Sequence, residues 1–354
     1  MNIQIFSGIE PTKLCRSEVD VLKTTEHDIR YREDFELARS IGITTLRLPA
    51  PWHRIEKVKG IYDWTWMDEY MQTAKDLGIQ PILDPFHHCS YNEEHIKWGF
   101  LDDDFVRKYI DFFCTLVDRY PWVNDYTIIN EPTATAHFSC SVGIWPPYAI
   151  GQYEEATRRL KQVIKALGSY LEIKGKRHWY VDAINPETSP HRFDFVQWLV
   201  NNGVKIDILG LDYYPHCDEM DNPIGFYTIA KEYYDRFKIP LSLTETNVRG
   251  YISDRQTWFV RMYKDYLRLK QDGIPIIGFC WYPLIDSKDW ASLLQECNNH
   301  LDPVGIFYLD ENNNRIPNEF SNNIGLLNSG KIKIEDVDTY NYLPPLDETL
   351  KKFK

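Results

Sequence analysis

The stretch ARSIGITTLRLPA, residues 38–50, decides the fold. A charged, amphipathic approach stops at Gly42, and a β-branched run begins at once. The same punctuation returns in AKDLGIQPILDPF (74–86), VNNGVKIDILGLDYY (200–214) and KQDGIPIIGFCWY (270–282), with Gly78, Gly203 and Gly273 in the place of Gly42. Glycine there supplies the left-handed residue that ends a helix, and the apolar run after it suits a strand covered on both faces. Each stretch is the αβ half of a repeating unit.

Extended along the chain, this template predicts strands near 3–7, 43–48, 80–86, 125–130, 178–184, 206–213, 240–245 and 276–282. Helical patterns lie between them, such as DDDFVRKYIDFFCTLVDRY and EEATRRLKQVIKALGSYL, with apolar residues three and four apart. Eight strands alternating with helices favour a single-domain α/β protein, a closed (β/α)8 TIM barrel, over an open doubly wound sheet. No GxGxxG follows the first strand to support a dinucleotide-binding sheet. The barrel is expected over 1–325, and 326–354 is read as a C-terminal extension packed on it.

Composition narrows the function. Of 354 residues, 43% are hydrophobic and 26% charged, enough for a large core. The net charge of −12, with no basic cluster to track a phosphate backbone, argues against nucleic acid. Aromatic residues reach 14%, with 11 Trp and 23 Tyr, and their flat faces suit polyhydroxylated ligands. The seven cysteines are scattered without a CxxC pair, as in reduced, cytoplasmic proteins. The opening MNIQIFSG has no signal-peptide pattern, and no window approaches a membrane span. No cofactor is implied, and the oligomeric state stays open.

Barrel enzymes place their chemistry at the C-terminal ends of the strands. The polar residues closing each apolar run are therefore candidates: Arg47, His87, His88, Asn130, Glu131, Asp212, Tyr213, Tyr214, Glu245 and Trp281. Glu131 in TIINEP and Glu245 in LSLTETN end strands four and seven, on opposing sides of a small barrel. Carboxylates about 5 Å apart suit retaining glycoside hydrolysis, whereas roughly 6.5 to 9.5 Å suits inversion. Arg47 and Tyr214 are placed to keep one of the two charged. The HHC run at 87–89 could suggest a metal, but neighbours on a strand face opposite ways, and strand one lacks a His-x-His pair. Metal catalysis is not expected.

These residues carry a resemblance. From about residue 27 to 320, LRLPAPWHRIE, PFHHCS, TIINEP, DILGLDYYP, SLTETN, WYPLIDSKDWA and GIFYLDENNNRIP resemble, in order, the strand-end motifs of glycoside hydrolase family one. This is the β-glucosidase and β-galactosidase family of clan A barrels. The resemblance implies Glu131 as acid/base and Glu245 as nucleophile, with Asn130 on the sugar 2-OH. It implies Arg47 and Tyr214 on the nucleophile and His87 on the 3-OH. Trp281 would form the platform under the sugar in subsite −1, and Asp289 with Trp290 would bind hydroxyls around C4 and C6.

Several positions depart from the family pattern. His88 stands where Trp is usual, Asp212 for Asn, Thr246-Asn247 for Asn-Gly and Asp289 for Glu. The segment GIEPTKLCR lacks the Gln that grips the 3- and 4-hydroxyls, and one extra residue separates Trp281 from Asp286. The expected function is a retaining, exo-acting β-glycosidase of carbohydrate metabolism, working on an O-glycoside. The alternatives are a clan A endo-glycanase, a transglycosylase with the same two glutamates, and a sugar-binding protein without turnover.

Overall fold

A computed structural model describes residues 5–14, 16–184, 193–215 and 225–339. Eight parallel strands close into a barrel: β1 (Ile5–Gly8), β2 (Thr45–Pro49), β3 (Gln80–Asp84), β4 (Asp125–Asn130), β5 (Arg177–Ala183), β6 (Ile208–Asp212), β7 (Leu241–Glu245) and β8 (Ile276–Trp281). Each pairs with its sequence neighbours, and β1 joins β8 through Ile5 opposite Phe279 and Ser7 opposite Trp281. The main helices are α1 (His27–Ser40), α2 (Thr65–Asp76), α3 (Phe105–Arg119), α4 (Tyr153–Ile173), α5 (Asp194–Asn201), α6 (Phe226–Phe237), α7 (Ile252–Gln271) and α8 (Glu319–Asn328). The (β/α)8 reading holds.

The four punctuating glycines have φ of 78° (Gly42), 65° (Gly78), 75° (Gly203) and 75° (Gly273), the left-handed region that costs other residues energy. Around them the chain passes from helix to strand through three to six residues. On α3 the buried set is Phe105, Tyr109, Phe112, Phe113, Leu116 and Val117, the three-and-four spacing of a helix lying on a sheet.

Two cores result. A large one lies between sheet and helices; a small one of Phe6, Ile82, Trp179, Val181, Ile208, Cys280 and Tyr282 plugs the barrel interior. The plug makes the barrel a solid floor under an open mouth. Alternation along β8 sends Cys280 and Tyr282 inward, and Phe279 and Trp281 outward against Phe259.

The C-terminal part begins with a hairpin, Tyr308–Leu309 against Arg315–Ile316, before α8, which is capped by Asn318 accepting from Ser321 N at 3.0 Å. Beyond α8, Ile334 and Val337 are buried in the large core. The rest of the expected extension, 340–354, lies outside the described residues.

Candidate active site

The strand ends bring Glu131 and Glu245 together over the mouth. Arg47, buried on β2, organises them. It donates to Glu245 Oε1 at 2.5 Å, Asp84 Oδ2 at 3.0 Å and Asn130 Oδ1 at 2.6 Å, so one guanidinium ties β2 to β3, β4 and β7. Tyr214, just past β6, donates its hydroxyl to Glu245 Oε2 at 2.6 Å. Each oxygen of Glu245 thus accepts a hydrogen bond, which directs the carboxylate and leaves its remaining lone pairs facing the bowl.

Glu131 follows β4 with φ 42° and ψ 60°, a left-handed backbone that costs a non-glycine residue roughly 1–3 kcal/mol. Pro132 then opens a short helix, Pro132–His137, where its fixed φ suits the first turn. The chain therefore leaves the strand abruptly and turns the Glu131 side chain inward. Burial, then the charges of Glu245 and Asp182, hold its pKa well above the ordinary carboxylate value.

Asp212 is a third acid in the bowl. One oxygen from each of Glu131, Asp212 and Glu245 lies within 4.8 Å of the others, the one group of acids, histidines or cysteines close enough to hold a metal ion among the described residues. Arg47 and Tyr214 already engage both Glu245 oxygens. Asp212 Oδ1 accepts from Thr244 Oγ1 at 2.6 Å, while Oδ2 is buried without a hydrogen-bond partner among the described residues. Burial, then Glu245 and Glu131, raise its pKa well above the usual range.

His87 and His88 both reach the bowl, against the strand-alternation argument. β3 ends at Asp84, so the two histidines lie beyond it, and a left-handed backbone at His88 (φ 52°) folds the rings to a 4.5 Å centroid distance. His88 lies 3.8 Å from Glu131 Oε2 and packs on Trp145 and Trp290. Burial, reinforced by the His87 charge, pushes its pKa well down, so it faces Glu131 as a neutral ring.

His87 Nδ1 meets Asp84 Oδ2 at 2.7 Å, and Nε2 lies 3.2 Å from Asn130 Nδ2 and 3.5 Å from Glu10 Oε2. These neighbours ask opposite things of Nε2: the amide N–H needs an acceptor, the carboxylate a donor. Burial acts to lower the His87 pKa, but Glu10 and Asp84 outweigh it and raise it to about 10. Glu10 falls to about 2, the His87 charge overcoming the opposing effect of burial.

Two expected positions are corrected. Trp281 is no platform: its ring packs on Phe259 and Phe320 in the outer core, and Nε1 donates to Val304 O at 2.8 Å. Tyr282 faces the bowl instead, its hydroxyl 3.2 Å from Glu10 Oε2 and its ring 5.4 Å below the Arg47 guanidinium. Asp289 is committed to its own loop, accepting from the backbone N–H groups of Asn298 (3.2 Å), Asn299 (3.1 Å) and His300 (2.9 Å). Trp290 stays near the mouth, its ring 5.7 Å from His88.

The family model of glycosyl hydrolase family 1 matches residues 6–183, half of the chain, including Arg47, the two histidines, Asn130 and Glu131. The chain belongs to glycosyl hydrolase family 1. Within family 1, it is 22% identical over 326 residues to a β-glucosidase-like SFR2 protein of Oryza sativa subsp. japonica chloroplasts, covering 73% of this chain and 49% of that one. It is also 22% identical over 325 residues to the chloroplastic galactolipid galactosyltransferase SFR2 of Arabidopsis thaliana, covering 73% and 51%. The chain spans about half the length of these curated relatives. A family 1 β-glucosidase from Thermotoga maritima superimposes with a TM-score of 0.74 at 16% identity over 87% of this chain and 88% of the other. With castanospermine bound, that enzyme gives 0.77 at 15% identity over 94% and 98%. At such identity the likeness shows the fold.

Sequence reasoning missed Glu10, Asp84, Asp182 and Tyr282 in this family 1 bowl. Two left a signal. Counting back from Asp286 by the family spacing reaches Tyr282, and Glu10 is the acid of the same shape as the missing Gln, two residues past β1. Asp84 and Asp182 sit within apolar runs, and nothing in their spacing separates them from strand-capping acids.

Proposed function

We propose that the protein is a retaining β-glycosidase working by double displacement at the end of a glycoside chain. The observation that supports this is the approach of one carboxyl oxygen of Glu131 to one of Glu245 within 4.8 Å, which fits the roughly 5 Å spacing of retaining enzymes better than the roughly 6.5 to 9.5 Å of inverting ones. Glu245 attacks the anomeric carbon, and a glycosyl ester forms. The bond to the leaving oxygen breaks as that oxygen takes the proton from Glu131. In the second step Glu131 removes a proton from water, the oxygen attacks the same carbon, and the ester bond to Glu245 breaks.

Glu10, His87 and Tyr282 take hydroxyls of the −1 sugar, and Asn130, held by Arg47, takes the 2-OH. The ester can equally pass to an acceptor hydroxyl. Transfer is the reaction named for the Arabidopsis relative, and it is the second reading. The scattered thiols, with Cys89, Cys140 and Cys280 buried and free, fit a reducing compartment such as the cytoplasm.

The test is turnover of aryl β-glycosides (gluco, galacto, fuco, manno, xylo) by wild type, Glu131→Ala and Glu245→Ala, with azide added to the variants. Glu245→Ala should lose activity and regain it with azide as the inverted glycosyl azide; Glu131→Ala should give the retained one. Alkyl glycoside formation from added alcohol weighs transfer against hydrolysis. Sugar binding without cleavage by wild type would favour the binding-protein reading.

A further inference from the structure

Glu131 holds its inward pose on a strained backbone, and a strained residue keeps its conformation only where its surroundings impose it. The restraints come from β5. Glu131 N donates to Val181 O at 3.1 Å. Two residues on, Thr133 donates to Asp182 Oδ1 twice, through Oγ1 at 2.7 Å and the backbone N at 3.3 Å. Residues on either side of the bend are thus stitched to consecutive residues of the neighbouring strand.

Asp182 does not face the sugar. Trp179 and Val181 belong to the barrel plug, so the alternating Tyr180 and Asp182 point away from it. Asp182 also accepts from its own strand, Tyr180 Oη at 2.6 Å and Ala183 N at 3.0 Å. We propose that Asp182 is a positioning residue for Glu131: it clamps the turn that carries the acid/base and confronts it with a negative charge from behind. This rests on the role of Glu131 proposed above.

The charge environment agrees with the geometry. Burial raises the Asp182 pKa to about 6 against the bonds from Tyr180 and Thr133, so it is ionised at neutral pH. Tyr180 and, from α4, Tyr153 face it. Glu131 is confronted by the charges of Glu245 from β7 and Asp182 from β5; Arg47 on β2 and His87 beyond β3 oppose them, and Asp212 from β6, its own pKa raised, and neutral His88 lie alongside. Removing the Asp182 charge makes Glu131 release its proton more readily.

The experiment compares wild type, Asp182→Asn, Asp182→Ala and Thr133→Val on the phenyl and 2,4-dinitrophenyl glycosides of whichever sugar is cleaved. Asp182→Asn keeps the size and the acceptor for Thr133, and the alkaline limb of kcat/KM should move to lower pH. Asp182→Ala should lose about 10-fold or more on the phenyl glycoside, which needs its leaving oxygen protonated, and much less on the dinitrophenyl one. Thr133→Val, which keeps residue 182, should show the same selectivity more weakly.

A second readout needs no turnover. In protein labelled with 13C-glutamate, the side-chain carboxyl resonance absent from Glu131→Gln titrates with a midpoint that Asp182→Asn should lower. An unmoved midpoint and limb, or equal losses on both substrates, would overturn the clamp. If wild type cleaves nothing, the glycosidase reading fails, and the resonance alone decides the role of Asp182.

Discussion

Replacing Asp212 with Asn probes the charge balance of the bowl through stability alone. Two unit charges at the 4.8 Å limit that bounds its distance to Glu131 and Glu245 repel by about 3 kcal/mol at an effective dielectric of about 20. With Glu245 held by Arg47 and Tyr214, Asp212 keeps its proton in the fold, whereas an unfolded chain releases it near pH ~4. The sign follows: a raised folded pKa means that the native state binds the extra proton, so stability falls as pH rises, by about 1.4 kcal/mol per unit. Between pH 5 and pH 7 this one group costs the wild type about 3 kcal/mol while it stays protonated. Asn keeps the shape and can still accept from Thr244, and it removes that cost. Urea unfolding of both proteins at the two pH values should show the variant gaining on the wild type by about that amount at the higher pH. Equal pH dependence in the two would refute the reasoning, because Asp212 would then be ionised in the fold.

The outer and inner aromatics of β8 should separate cleanly. Trp281→Ala is expected to cost about 3–5 kcal/mol of stability while sparing KM in the folded fraction; Tyr282→Phe should raise KM about fivefold to tenfold with little loss of stability, measured by unfolding and by steady-state kinetics. Glu10→Gln removes the acceptor that keeps Nε2 of His87 protonated. The imidazole titration, followed by NMR, should fall from about 10, and Asn130 Nδ2 should then donate to the neutral ring across their present 3.2 Å. A titration that stays near its wild-type midpoint would show that Asp84 alone holds the charge.

What was legible in the sequence follows from periodicity. Helix-ending glycines and buried β-branched runs have a fixed relation to the βα unit, so strand positions, and with them Glu131, Glu245, Arg47, Asn130 and Tyr214, could be read directly. The shell around them depends on which way a side chain turns after its strand has ended. Backbone choices such as the left-handed His88 override alternation there. Trp281 was misplaced for a related reason: alternation says that one of two adjacent aromatics points inward, but not which. Asp289 was expected as a ligand from the family resemblance of WYPLIDSKDWA, and only the three backbone N–H groups of 298–300 show where its charge is spent.

The reach of Arg47 across four strands has a consequence for how such a protein can change over generations. Altering the reaction centre means rebuilding a contact shared by Asp84, Asn130 and Glu245 at once, a step with few viable intermediates. Glu10, His88 and Tyr282 hang beyond the last residues of their strands and are not joined to that guanidinium by a hydrogen bond. On the reading proposed above, single substitutions at Glu10 or Tyr282 exchange one sugar preference for another while the two glutamates and the guanidinium that holds Glu245 are inherited intact.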